Sequence, residues 1–321
     1  LPIEFVQKLN DFGRLRRPFF FVVDYKGEQG FVQPLDALDD DIFYVFPTAR
    51  NVTENLTCKV FLRQKTFPNR EAYRHKVNAV HEEIRSGNTY LLNLSAPTDV
   101  VLDTEDLRFV FNAANAPFKL YFKDRFVCFS PERFVKIEDN RIFTYPMKGT
   151  IAADVANAQE VILNDEKEKA EHVMVVDLLR NDLSMVASQV RVDRFRYVEK
   201  IQAGEKELLQ VSSQISGYVD ESWHEKIGSM LSTMLPAGSI SGTPKRKSVE
   251  IIERLEGYKR GFFTGVFGIY DGERFDSAVL IRFLEKSDEG FVFKSGGGIT
   301  LLSDADKEYE EVCDKVYIPV F

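Results

Sequence analysis

Four stretches of the chain carry side chains whose types and spacing suit chemistry. The first is Tyr145-Pro-Met-Lys-Gly-Thr150. A lysine on a strand end, followed by Gly-Thr, is a nucleophile when desolvation or a cationic neighbour lowers its pKa. The plain alternative is a surface lysine in a turn. The second runs from Glu168 to Asp182, EKAEHVMVVDLLRND. Glu168 and Glu171 are three apart, so on a helix they share a face and can hold Mg²⁺, which takes oxygen ligands and keeps waters. Acids in a first helical turn also serve the helix dipole. Asp177, Arg180, Asn181 and Asp182 read as a locally paired structural cluster. The third is LPAGSISGTPK at 235–245, a small-residue loop running into a helix. Exposed N–H groups at such a helix start suit an anion, and Lys245 adds charge; a plain Gly/Ser turn is the alternative. The fourth is Ser295-Gly-Gly-Gly298 with Glu308, Glu311 and Lys315 beyond it. Three glycines after a strand let a ligand approach the backbone. The two glutamates and the lysine fall on one helix face, as a ligand set or as a solvated stripe. Together, the glutamate pairs, the lysine and the glycine-rich loops fit a Mg²⁺-assisted enzyme acting on a carboxylated small molecule.

These groups need a scaffold, and the pattern supplies one. PFFFVVDY, IFYVFP and KVFLRQ read as strands from their aromatic and β-branched content. Residues 69–86 read as a helix, with Tyr73, Val77, Val80 and Ile84 on one face and Gly87 closing it. The run from Pro117 to Met147 reads as strands joined by tight turns, with Asp-Asn at the last. A helix is expected over about 165–186, followed by strands in QVRVDRFRYVEKI and LLQVSSQISGYV. Residues 244–255 read as a helix with Pro244 in its first turn and Gly257 beyond its end. GFFTGVFGIY, SAVLIRFLEK and GFVFKSGG give three more strands. A last helix covers about 304–316, with Ser303 as its N-cap. Hairpin-like strands with interspersed helices predict an α+β fold with large antiparallel sheets.

The bulk numbers narrow the partners. The 321 residues are 44% hydrophobic and 29% charged, as in ordinary globular proteins. A net charge of −8 argues against nucleic acid or an anionic membrane surface as partner. An anionic substrate must therefore be held by local cations, helix N-termini or a metal. Three cysteines at long spacings (Cys58, Cys128, Cys313) make a disulfide framework or zinc site improbable and favour a reducing, cytoplasmic compartment. No uncharged run approaches the roughly 20 residues a membrane helix needs. The first 20 residues hold no signal-peptide core, and the start at Leu1 leads us to expect a few residues before it.

The blocks SGNTYLLNLS, FSPERF, PMKGT, AEHVMVVDLLRND, GSISGTPKRKSVEIIERLE, LIRFLE and GGGIT…EYEEVCDKV stand in this order. In wording and order they resemble the chorismate-utilising enzymes, specifically their aminodeoxychorismate synthase branch. The resemblance runs from about residue 70 to the end, with a shortened N-terminal part over 1–65. It implies a single domain over 1–321 with two large, orthogonally packed antiparallel sheets and helices outside. Anthranilate and isochorismate synthases typically carry alanine where this chain has Lys148, whereas the aminodeoxychorismate branch can carry lysine. The resemblance thus implies that Lys148 attacks C2 of chorismate while the C4 hydroxyl leaves. Ammonia then adds at C4, giving 4-amino-4-deoxychorismate for p-aminobenzoate and folate. Glu132 of SPERF would be the general acid/base. Glu171 and Glu311 would be the principal Mg²⁺ ligands, with Glu168 and Glu308 in support. Arg282, Lys315 and the backbone of Gly296, Gly297 and Gly298 would take the carboxylates, Arg282 through its bidentate fork. Gly149 and Thr150 would lie against the ring, and Ser239 would touch substrate. No Gly-x-Cys-x-Gly amidotransferase block is recognisable, so a separate glutaminase subunit is expected to deliver ammonia. Two positions depart from the family pattern: Leu209, where many members have His, and Ile269, where many have Tyr. They motivate one rival, a degenerate ligand-binding subunit; a second rival, an anthranilate- or isochorismate-type enzyme, is disfavoured by Lys148.

Overall fold

The computed structural model describes residues 1–52, 60–203 and 206–320; Cys58 lies outside them. Cys128 and Cys313 are free thiols. The chain divides into two compact units that interleave along the sequence. The first comprises Leu1–Leu38, Glu132–Ser239 and Thr264–Val279; the second comprises Asp39–Pro131, Ile240–Phe263 and Leu280–Phe321. Each contains one antiparallel sheet, and helices complete the α+β class that the hairpin-like strand pattern predicts.

In the first unit the sheet runs in the order Met147–Ala152, Lys206–Tyr218, Arg141–Thr144, Arg133–Glu138, Phe275–Val279, Val266–Tyr270, Phe19–Val23, Gly30–Pro34. Ser188–Ala203 also pairs along Lys206–Tyr218. Phe19–Val23 is buried at every position, which explains its unbroken apolar run rather than an alternating one. Asp139 and Asn140, both with φ near +50°, make the tight turn between Arg133–Glu138 and Arg141–Thr144. The helix Ile3–Arg14, which the sequence pattern did not suggest, packs on Trp223–Lys226 and Ile227–Met234. Gly13 is required there, because a Cβ would stand 1.8 Å from the His224 carbonyl oxygen. The long helix Glu166–Ser184 packs on three strands of this sheet and starts at Asp165, whose side chain accepts from the Glu168 N–H.

The second unit's sheet runs Gly242–Thr243, Leu91–Leu102, Gly290–Ile299, Phe283–Ser287, Phe126–Ser130, Phe118–Phe122, Ile42–Phe46, Ala49–Arg50, with Leu62–Thr66 on the outer part of Leu91–Leu102. Two apolar clusters cover it. One gathers Phe111, Phe129, Leu284, Phe293 and Val316. The other joins the helix Arg70–Arg85, through Tyr73, Val77 and Val80, to Leu92, Leu94, Ile252 and Val312. The expected apolar face of that helix is therefore its buried face, and Gly87 follows its end with φ +73°. The helix Lys245–Glu256 ends at Gly257 in the left-handed conformation, as the Gly signal predicts.

Two sequence expectations need correction here. Asp304, not Ser303, caps the helix Ala305–Asp314, accepting from the N–H groups of Asp306 and Lys307. Ser303 instead accepts from Thr300 N–H. The three glycines 296–298 lie inside the strand Gly290–Ile299 rather than after it. Close approach explains this: a Cβ on Gly296 would stand 2.7 Å from Ser95 Cβ on the paired strand.

Candidate active site

Lys148 is the second residue of Met147–Ala152, and its direction is set by a bulge. Met147 pairs with Ser212 and Thr150 with Gln210, so Lys148 and Gly149 together oppose Val211 alone. Such a bulge re-aims a side chain and bends the strand. Gly149 takes φ +82°, which favours glycine. Its missing side chain leaves space beside Glu168 Oε2 and Ile162. Lys148 Nζ lies 3.4 Å from Glu171 Oε2, with the lysine side chain 23% exposed and the glutamate 7%. A half-buried amine beside a buried carboxylate is well held in place. Lys167 Nζ stands 3.7 Å from the other oxygen, Glu171 Oε1, which is buried and accepts no hydrogen bond. Thr150, one residue on, is exposed.

In the same unit Glu132 follows the last residue of FSP, and its carbonyl accepts from Val279 N–H. Ser239 Oγ donates a short hydrogen bond to Glu132 Oε1. Ser239 was expected to touch substrate; here its hydroxyl fixes a carboxylate oxygen of the expected acid/base. Asp177 and Arg180 form the local pair read from the sequence, at 2.6 Å.

The second unit carries the other set. Lys315 Nζ donates to Gly296 O at 2.8 Å and to Glu311 Oε1 at 2.6 Å. Glu308 Oε2, Glu311 Oε1 and Lys315 Nζ all surround the position a Gly297 Cβ would take, at 3.5, 3.5 and 3.7 Å. The expected helix face is thus assembled over the glycine strand. Glu308 is 2% exposed. Arg282 has φ +54° and donates to Lys315 O at 3.0 Å, with its guanidinium over the Tyr317 ring. Burial pulls its pKa below the usual guanidinium value, against the pull of Tyr317 and Glu311. The loop at 235–245 is less open than the anion reading requires. Its Gly242–Thr243 segment adds an edge pairing to Leu91–Leu92, and Ser241 is fully buried.

The donor types suit a hard cation. Glu171 offers a buried oxygen with no hydrogen bond, and Glu308 and Glu311 offer carboxylates around a backbone without a side chain. Among the described residues no group of three or more His, Cys, Asp or Glu is placed to hold a metal. Each pair by itself supplies the one or two carboxylates that Mg²⁺ commonly takes beside waters and substrate oxygens.

A family model for chorismate binding enzymes matches residues 34–320. The chain belongs to the chorismate binding enzyme family. An uncharacterised PabA-like protein of Pasteurella multocida (strain Pm70) is 48% identical over 319 residues, 98% of each chain. Aminodeoxychorismate synthase component 1 of Salmonella typhimurium (strain LT2) is 30% identical over 293 residues, which cover 87% of this chain and 63% of that one. The solved structure of anthranilate synthase component I from Streptococcus pneumoniae TIGR4 superposes with a TM-score of 0.65 at 25% identity. The match covers 83% of this chain and 60% of that one.

The two departures from the family pattern take on physical meaning in this frame. Leu209 pairs with Ile151 and lines an open pocket with Val155, Ala158 and Leu163. Gln210, not Leu209, stands opposite Thr150. Ile269 is a core residue, 4% exposed. The adjacent Tyr270 is not a stand-in for the family tyrosine. Its hydroxyl donates to Gly272 O at 2.6 Å and lies 2.7 Å from His224 Nδ1.

Sequence reasoning passed over His172. It lies next to Glu171, is 1% exposed, and its Nε2 is 2.6 Å from Ser213 Oγ. Burial, with Arg196 and Lys148 nearby, lowers its pKa to about 4, so it is neutral at physiological pH. The only signal was its place within the glutamate helix block; its partner is 41 residues away.

Proposed function

We propose that this chain is component I of an aminodeoxychorismate synthase, replacing the C4 hydroxyl of chorismate with an amino group. The observation that carries the reading is Lys148, bulged from its strand and held against Glu171. An amine in that position is what separates amination at C4 from direct attack of ammonia at C2. The likeness to the Salmonella typhimurium component 1 supports the same branch.

In the proposed reaction the neutral Lys148 amine forms a bond to C2. The ring double bonds shift, and the C4–O bond breaks as Glu132 gives its proton to the departing hydroxyl, which leaves as water. Ammonia then bonds to C4, the double bonds shift back, and the C2–N bond to Lys148 breaks. Ser239 holds the Glu132 carboxyl in one orientation for that transfer. Glu171 orients the Lys148 amine. Arg282, Lys315 and the backbone of 296–298 are assigned to the substrate carboxylates, and Gly149 and Thr150 to the ring. Glu168, Glu171, Glu308 and Glu311 are assigned to Mg²⁺, which when bound neutralises the substrate's ring carboxylate.

Ammonia is mostly ammonium at neutral pH, so the reading includes a separate glutamine amidotransferase subunit as its source. No described helix is long and apolar enough to cross a membrane, and we place the reaction in the cytoplasm. The rival reading, amination at C2, is favoured by the structural likeness to anthranilate synthase component I. Incubation with chorismate, Mg²⁺ and ammonium, followed by chromatography and mass measurement, separates them. The reading predicts 4-amino-4-deoxychorismate; anthranilate as the main product would replace it with the rival.

A further inference from the structure

Three candidates outside the assigned groups stand out: the open pocket along Leu209, the buried Glu256–Arg260 pair, and His172 with Ser213. The pocket is open, and Glu160 is the one ionisable side chain in its lining. The Glu256–Arg260 pair is fully partnered within the second unit's core. His172 goes furthest, because its contacts tie together the two elements that carry Lys148 and Glu171.

The geometry runs through one residue. Ser213 N–H donates to Pro146 O at 2.9 Å, two residues before Lys148. The neighbouring Ser212 pairs with Met147 at the start of the bulge. Ser213 Oγ accepts from Arg196 N–H at 2.9 Å and shares a second hydrogen bond with His172 Nε2 at 2.6 Å. Arg196 extends the tie to the helix Ala158–Asn164, donating to Leu163 O at 2.8 Å and to Ile162 O. The Ile162 side chain fills the space beside Gly149. Ser213 is fully buried and His172 nearly so. A hydrogen bond at such a site has no competing water.

We propose that His172 is the positioning residue of the lysine–glutamate pair: its bond to Ser213 fixes the glutamate helix against the strand bulge and so sets the Lys148–Glu171 distance. Its importance for turnover rests on the function proposed above; the placement itself does not. Glu171 is the preceding residue on the helix, so a shift of the His172 backbone moves its carboxylate by a similar amount. Lys148 has little tolerance for such a shift, because a nucleophile misplaced by about 1 Å loses roughly a hundredfold in rate.

The test uses a water-soluble carbodiimide, which joins an amine and a carboxylate only when they touch. The full-length protein is treated without substrate, and the Lys148–Glu171 cross-link is quantified by peptide mass spectrometry. The Lys200–Glu207 pair, 2.6 Å apart on the neighbouring hairpin, serves as internal reference. Ser213→Ala and His172→Leu should each lower the Lys148–Glu171 yield roughly tenfold and leave the reference unchanged. His172→Gln, which can still accept from Ser213 Oγ, should retain most of the yield. In steady-state kinetics with ammonium the first two variants should lose kcat with KM little changed, and His172→Gln should recover it. An undiminished Lys148–Glu171 yield in Ser213→Ala overturns the proposal, and so does an absent cross-link in the unmodified protein. Should His172→Leu fail to fold, Ser213→Ala decides alone. Because the cross-link needs no chorismate, failure of the proposed reaction would leave this result standing by itself.

Discussion

Replacing Glu256 with Met tests how the glycine strand of the second unit is supported. Glu256 Oε1 accepts from Ser95 N–H at 2.8 Å, from Ser95 Oγ at 2.6 Å and from Arg260 Nη2 at 2.6 Å. Its other oxygen accepts from Arg260 Nε at 2.8 Å. The side chains of Arg260 and Glu256 are 2% and 1% exposed. Glu256→Met leaves the buried guanidinium without its carboxylate, although it still donates to the carbonyls of Ile240 and Asn93 and to the Asn93 amide oxygen. It also removes the acceptor of a buried N–H. Breaking a buried ion pair from one side costs about 3–5 kcal/mol. That is a large fraction of the roughly 5–15 kcal/mol that holds a typical domain together. Removing both charges, as Glu256→Met with Arg260→Met, should cost clearly less than Glu256→Met alone, because no unpaired charge remains. Urea unfolding of the three variants, followed by fluorescence and circular dichroism, gives the midpoints. The reasoning fails if Glu256→Met costs under about 1 kcal/mol, or if the double variant costs the sum of the two singles. Ser95 pairs with Gly296, so the strand assigned to the substrate carboxylates should loosen together with the core.

Two further perturbations probe other parts of the account. Lys119 is 4% exposed, donates to Phe111 O and Ala114 O, and has its pKa lowered by burial from 10.5 to about 8. Between about pH 8 and 10.5 the unfolded chain holds a proton that the folded chain has released. The Lys119 contribution to stability therefore rises with pH through that window and is constant below it. Unfolding free energies of the natural chain and Lys119→Met should diverge upward across it, and parallel curves would contradict this. Gly149→Ala places a side chain at φ +82° beside Glu168. It should cost about 1–2 kcal/mol and reduce chorismate turnover by more than that loss of stability explains, as thermal melts and rates measured side by side will check.

The large elements were legible because their signals are local. The helix Arg70–Arg85 was readable from Tyr73, Val77 and Val80, and the hairpin around Asp139 and Asn140 from residues that tolerate positive φ. The helix Leu107–Ala113 was not, because Leu-Arg-Phe-Val-Phe-Asn-Ala has strand-like composition and is buried against the second sheet. The glycines 296–298 read as loop for a similar reason, since glycine weakens strands. They belong to one because Ser95 crowds Gly296 and the glutamates crowd Gly297. The residue types of the candidate site could be picked out in the sequence, but its geometry could not. Nothing local in Pro-Met-Lys-Gly-Thr records that Lys148 and Gly149 share one partner. That depends on Ser212 and Gln210, more than 60 residues on. The ties of Ser239 to Glu132 and His172 to Ser213 are likewise long-range hydrogen bonds.

The central claim is that the Lys148 amine bonds to the substrate ring before ammonia does. The direct measurement is the mass of the intact protein, acid-quenched after mixing with chorismate and Mg²⁺ without any ammonia source, followed by peptide mapping. The account predicts an adduct equal to chorismate less one water, located on Lys148 and absent from Lys148→Ala, and discharged as 4-amino-4-deoxychorismate when ammonium is added. Formation of the 4-aminated product at an undiminished rate by Lys148→Ala would contradict it.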